Sequence, residues 1–203
     1  MLKYKVLANQ LTSLADARFF AAQGVDWISF LLTPDHPESM SLSDLKEIKE
    51  WIEGPAIIGR FIQPFRKEIE DAIVLYDLDA ILLDEASPLE VIQEGFSVTV
   101  FKEINVIPGS NWMDKLEWAA PFVDYFVLNI SDKNELNQQT INELCSIYDI
   151  FIAEQKNNLP PSQIELLQPI GVVANAIGSE ELVGLKSFEE LDSLFEYLQD
   201  DTD

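Results

Sequence analysis

The chain has 203 residues, 47% of them apolar and 24% charged, a balance that excludes a disordered polypeptide and a bundle of membrane spans. Thirty-six Asp plus Glu against 13 Lys plus Arg give a formal net charge of −23. That charge works against nucleic acid and anionic membranes as partners, since both are held by basic side chains.

Met1-Leu2-Lys3-Tyr4-Lys5 leads straight into the first strand candidate, residues 4 to 9, without the long apolar stretch of a secretory signal, so a cytoplasmic protein is expected. A helical pattern over 13 to 23 ends at Gly24, where a left-handed turn is expected. Strand 26 to 32 runs into a loop carrying His36, the only histidine, which is read as an exposed loop residue. Ser41 and Ser43 mark the start of a helix over 41 to 52. In strand 55 to 62, Gly59 signals close packing, and Arg60 is read as ion-pairing with a neighbouring helix. Helix 64 to 76 precedes strand 79 to 84, which ends at Asp84 with Glu85 beyond it. Ser87-Pro88 opens a predicted fourth helix over 87 to 95, closed by Gly95. Strand 97 to 104 carries Lys102, helix 111 to 120 follows, and strand 123 to 129 ends at Asn129. The sole cysteine, Cys145, lies in helix 137 to 147, where it rules out an intrachain disulfide and is read as packing. Strand 149 to 154 ends at Glu154, Pro160-Pro161-Ser162 opens helix 160 to 168, and strand 170 to 175 ends at Asn175. A last helix spans 186 to 199, before an acidic tail at 200 to 203.

Near-continuous Ile, Val, Leu and Phe runs suit parallel strands buried on both faces. Eight strand and helix units favour a closed (βα)8 TIM barrel over an open doubly wound sheet, and the length leaves room only for short loops. Residues 1 to 199 are therefore one barrel domain. Asn9-Gln10-Leu11-Thr12 after the first strand has no glycine fingerprint for a dinucleotide, and no cofactor is implied. A lone histidine among scattered carboxylates has no zinc spacing, so no metal is expected.

Function in such a barrel lies at the carboxyl ends of the strands. The polar residues there are Asn9, His36, Asp84, Glu85, Lys102, Asn129, Glu154 and Asn175. Asp84, Glu154 and Lys102 are candidate acid/base groups, while Asn9 and Asn129 carry carboxamides that cannot exchange a proton near neutral pH. Trp27, Trp51, Trp112 and Trp118 are assigned to packing, with an association surface including Trp112 and Phe122 as the alternative.

Several stretches, in order along the whole chain, are similar to phosphoribosylanthranilate isomerase, the tryptophan-pathway barrel enzyme. They are Leu11-Thr12-Ser13-Leu14-Ala15-Asp16-Ala17, Phe20 through Asp26, Phe30 through Pro34 with Pro37, Leu78 through Leu83 with Ser87-Pro88, and Ala120 through Leu128. Near the end, Gly178-Ser179-Glu180 and Gly184-Leu185-Lys186 match a Gly-x-Glu and Gly-x-Lys pair after the last strand of that family. The resemblance implies an Amadori-type rearrangement of an anthranilate-linked sugar phosphate, with a Cys ending strand 1 as base and an Asp ending strand 6 as acid. Ungapped counting puts Asn9 and Asn129 at those positions. Glu38 stands where the family has an anion-holding Arg. Glu154-Gln155-Lys156-Asn157-Asn158 replaces a Gly-Gly loop, Ala174-Asn175-Ala176-Ile177 replaces an Asp-x-Ser-Ser run, and Ile130-Ser131-Asp132-Lys133-Asn134 replaces a glycine-rich loop. Gly178 and a short helix expected after it are what remains of the phosphate cradle. The expectation is a barrel that has lost the isomerase reaction and binds a small polar or phosphorylated ligand or a protein, as a monomer or homodimer. The alternative is an active divergent phosphoribosylanthranilate isomerase, or another sugar isomerase using the replacement groups.

Overall fold

The structure, a computed structural model, describes residues 2–130, 137–154, 160–176, 180–182, 185–186 and 189–199. Eight parallel strands close into a barrel in chain order. They are β1 Lys5–Leu11, β2 Trp27–Leu31, β3 Ala56–Phe61, β4 Ala80–Leu83, β5 Thr99–Val106, β6 Tyr125–Ile130, β7 Ile150–Glu154 and β8 Gly171–Asn175. Around them lie helices α1 Leu14–Ala22, α2 Leu42–Trp51, α3 Arg66–Tyr76, α4 Trp112–Ala119, α5 Gln138–Cys145, α6 Pro161–Leu167 and α7 Glu189–Leu198. Among the described residues, no helix is long and apolar enough to cross a membrane.

The strand pleat divides the apolar residues into two cores. One set, including Val6, Ile28, Ile81, Val100, Phe126 and Ile152, packs outward against the helices. The other fills the barrel: Leu7, Ile58, Ala80, Leu82, Phe101, Val127, Phe151, Ala153 and Val173. At its base Trp27, Phe101, Tyr125 and Phe151 form an aromatic plug, with ring centroids 4.7 Å apart for Phe101 and Tyr125 and 5.2 Å for Trp27 and Phe101. Gly171 is required there, because a Cβ would lie 2.4 Å from the Phe151 ring and 2.6 Å from the Lys5 carbonyl oxygen.

Three carboxylates stitch the base. Asp26 accepts the Val6 N–H, Asp79 the Ile57 N–H and Asp124 the Val100 N–H, each at 2.8 Å. Each ties the entry of an even-numbered strand to its odd-numbered neighbour, satisfying a strand N–H that the parallel ladder leaves open.

The cap signals hold where local chemistry decides. Ser41 accepts the Asp44 N–H at 3.1 Å, Pro161 occupies the first turn of α6, and Gly24 has φ of 73°. The predicted fourth helix does not form, and only a single 3₁₀ turn, Leu89–Val91, appears. A helix would give the Val91 carbonyl to the Gly95 N–H. Instead the Arg66 guanidinium donates to the carbonyls of Val91 at 3.0 Å and Gly95 at 2.7 Å, and the Gly95 N–H turns back to Ile92. Nor does a helix follow Gly178 directly: Glu180–Leu182 pairs antiparallel with Leu185–Lys186. The last helix accordingly begins at Glu189 rather than near residue 186.

Candidate functional site at the barrel mouth

Above the apolar interior the inward-facing residues turn polar. Alternation carries Leu7, Ile58, Phe101 and Phe151 of the odd strands up to Asn9, Arg60, Glu103 and Ala153, four side chains of one layer. Within it, Arg60 Nε and Nη2 donate to the two oxygens of Glu103, each at 3.2 Å. Arg60 therefore pairs across the barrel interior and not with a helix. Gly59, on the opposite face, supplies the close approach to Leu78 that its presence suggested.

Asn9 is buried, and a register shift in β1 with Gln10 at φ of 62° lifts its side chain into the mouth. Its amide oxygen accepts from Ser29 Oγ at 2.5 Å and from the Gln10 N–H at 2.9 Å. Its amide nitrogen donates to Asn175 Oδ1 at 3.4 Å, across the β1 to β8 seam where the two residues are in register. Across the mouth, Asn129 Nδ2 donates at 3.0 Å to Oδ1 of Asn105, its register partner on β5. Both oxygen lone pairs of Asn9 are thus occupied, while Asn129 keeps an amide oxygen and Asn105 an amide NH2 without partners among the described residues.

The remaining sequence candidates are not gathered at this point. Buried Asp84 closes loop backbone: one carboxylate oxygen accepts from the Gln63 N–H at 3.1 Å and from Ser87 Oγ. Lys102 projects to the other side of the sheet from Glu103, into the layer between barrel and helices, where its Nζ donates to the carbonyls of Asp84 and Glu85. Burial pulls its pKa down to about 8, against the pull of Asp84, Glu85 and Glu103. Glu85 pairs with Lys115. Glu154 ends β7 opposite Ile130, its side chain outside the described residues, as are Gly178 and residues 155 to 159.

In the loop after β2, His36 is half-buried rather than exposed, and its Nδ1 accepts the Glu38 N–H at 3.2 Å. Glu38 itself is exposed. Cys145, at the end of α5, has its thiol pKa pushed up to about 11 by burial, which suits packing. Trp112 and Phe122 pack against the core, whereas Trp51 is largely exposed and Trp118 partly so. The sequence reading missed Ser29, Glu103 and Asn105; an extra rung on β5 beyond residue 104 is what brings Asn105 into the mouth.

No family model matches the sequence, and no curated protein matches it. Solved structures do. Phosphoribosylanthranilate isomerase from Thermotoga maritima superposes with a TM-score of 0.76 at 20% identity, over 95% of this chain and 97% of that one. This barrel has the fold of that isomerase. The Thermus thermophilus phosphoribosylanthranilate isomerase gives a TM-score of 0.73 at 20% identity, over 96% and 98% of the two chains. A phosphoribosylanthranilate isomerase in complex with reduced 1-(o-carboxyphenylamino)-1-deoxyribulose 5-phosphate gives 0.75 at 20% identity, again over 96% and 98%.

Proposed function

We propose that this chain is a divergent relative of phosphoribosylanthranilate isomerase that no longer catalyses the Amadori-type rearrangement and instead holds a small, uncharged polar ligand at the barrel mouth. One observation carries this reading. At the ends of β1 and β6, where the resemblance calls for a proton-transferring base and acid, stand Asn9 and Asn129, and their amides are engaged by Ser29, Asn175 and Asn105. Proton transfer by a positioned group contributes roughly 10² to 10⁴ in rate, so two amides remove most of the chemistry while leaving a hydrogen-bonding surface. The charged pair in the same layer as Asn9, Arg60 and Glu103, is neutral as a unit and offers no net attraction to a phosphate. The open oxygen of Asn129 and NH2 of Asn105 supply one acceptor and one donor side by side, which suits a hydroxyl or amide ligand. A cytoplasmic location and a monomeric or homodimeric state accompany this proposal.

The test is a fluorescence assay on freshly generated phosphoribosylanthranilate, paired with rescue of a tryptophan auxotroph that lacks the isomerase. The wild-type chain gives no turnover above background and no rescue, whereas Asn9→Cys combined with Asn129→Asp raises turnover above wild type. Wild-type turnover that Asn129→Ala abolishes and a distant surface change spares would refute loss of the reaction.

A further inference from the structure

The unformed fourth helix leaves a cavity on the flank of the barrel, between the loop after β4 and helix α4, separate from the mouth. Its volume is about 550 Å³, within the range of small-molecule sites. Exposure falls steadily from rim to floor. Glu90, Asp114 and Trp118 are exposed at the rim, Leu89 is half-buried on the wall, and Lys102 and Ile104 are buried at the floor.

Charge follows the same axis. The floor holds one ammonium, Lys102, only 1% exposed, which spends two N–H groups on the carbonyls of Asp84 and Glu85 and as an ammonium has a third. Midway, Lys115 and Glu85 neutralise each other. At the rim, Asp114 and Trp118 stand four residues apart on one face of α4, and neither Asp114 nor Glu90 has a salt-bridge partner among the described residues. An indole beside two carboxylates is a setting for an organic cation. Between the charged ends, Ala86, Pro88 and Leu89 supply apolar wall beside the Glu85 and Lys115 pair.

We propose that this flank cavity binds a small linear zwitterion, with its carboxylate on Lys102, its apolar body against Leu89 and Ile104, and its ammonium at Trp118, Glu90 and Asp114. The two rim carboxylates repel a ligand with a second anionic group, which sets aside dicarboxylates and nucleotides. The floor ammonium repels a simple amine.

Calorimetric titration at pH 7 with 6-aminohexanoate, hexanoate and hexylamine, in parallel, tests this on the full chain. The zwitterion is expected to bind about tenfold or more tightly than either singly charged analogue. Its binding is lost in Lys102→Met. It is also lost in Asn111→Trp, which places a bulky side chain at an exposed lining residue and leaves Lys102 itself unchanged. Glu90→Gln with Asp114→Asn brings 6-aminohexanoate down to the level of hexanoate. Equal affinities for the three compounds, no heat up to about 10 mM, or binding that survives Asn111→Trp would each overturn the proposal; the tryptophan variant keeps the test decisive if Lys102→Met fails to fold.

Discussion

Lys102→Met isolates the cost of a charge held beneath the surface. Burial lowers the folded-state pKa of Lys102 from 10.5 to about 8, and each unit corresponds to about 1.36 kcal/mol, so the full linkage term is about 3 kcal/mol. The sign follows from where protons sit. Below pH 8 the amine is charged in both states and the folded protein bears the whole desolvation cost. Between pH 8 and 10.5 the unfolded chain binds more protons than the folded one, so stability rises with pH by that amount. Met has a similar volume and no charge. At pH 7 it removes the desolvation cost, but it strips the Glu85 carbonyl of a donor at a cost of about 1 to 3 kcal/mol, while the Asp84 carbonyl keeps the Ser87 N–H at 3.2 Å. The two effects nearly cancel at neutral pH, which makes the pH dependence the diagnostic quantity. Urea unfolding of both proteins from pH 7 to 10.5, taken as a difference to remove other titrations, is expected to favour wild type increasingly, by about 3 kcal/mol across the range. Parallel stability curves would show that Lys102 is hydrated in the folded state and sink the assignment.

Substitutions at three further sites, the Arg60 and Glu103 pair, Gly171 and Asp79, probe the barrel. Removing one partner of the Arg60 and Glu103 pair, by Arg60→Met or Glu103→Gln, leaves a buried group uncompensated and is expected to cost about 3 to 5 kcal/mol; the double change to Met at both positions should recover part of it, as measured by urea midpoints. Gly171→Ala forces a methyl group into the Phe151 ring and the Lys5 carbonyl, and a loss of about 3 kcal/mol or more, or of soluble protein, is expected in thermal unfolding. Asp79→Ala deletes one base clasp to a backbone N–H, and a loss of about 1 to 2 kcal/mol is expected by the same unfolding measurement.

The architecture was legible because each strand is a long apolar run and each helix a periodic one, signals that survive when individual residues change. The fourth helix was not, since its propensity and its Ser87-Pro88 start were overridden by Arg66, a distant side chain taking the carbonyls a helix would use. The mouth was half legible. Counting along the chain reached Asn9, Asn129 and Asn175, and the structure gives them hydrogen-bonding roles. Lys102 could not be assigned to a face, because it stands beside a second charged residue, Glu103, and two successive charges in a strand carry no hydrophobic phase. Arg60 was misjudged for a related reason: its partner lies two strands away in the same interior layer, a relation that sequence spacing does not express. Ser29 looks like any small strand residue until the bulge at Gln10 brings Asn9 against it.

The three aspartates beneath the barrel join residues only 20, 22 and 24 positions apart, so each closes a short span of chain. They bracket β1 with β2, β3 with β4, and β5 with β6, dividing most of the ring into self-contained pairs. New termini introduced between α2 and β3, or between the turn after β4 and β5, would leave every bracket within one continuous segment, whereas termini between α1 and β2 would turn a local closure into one spanning the permuted chain. The barrel is thereby divided into units of two, and a permutation scan that cuts between units should yield folded protein more often than one that cuts inside them.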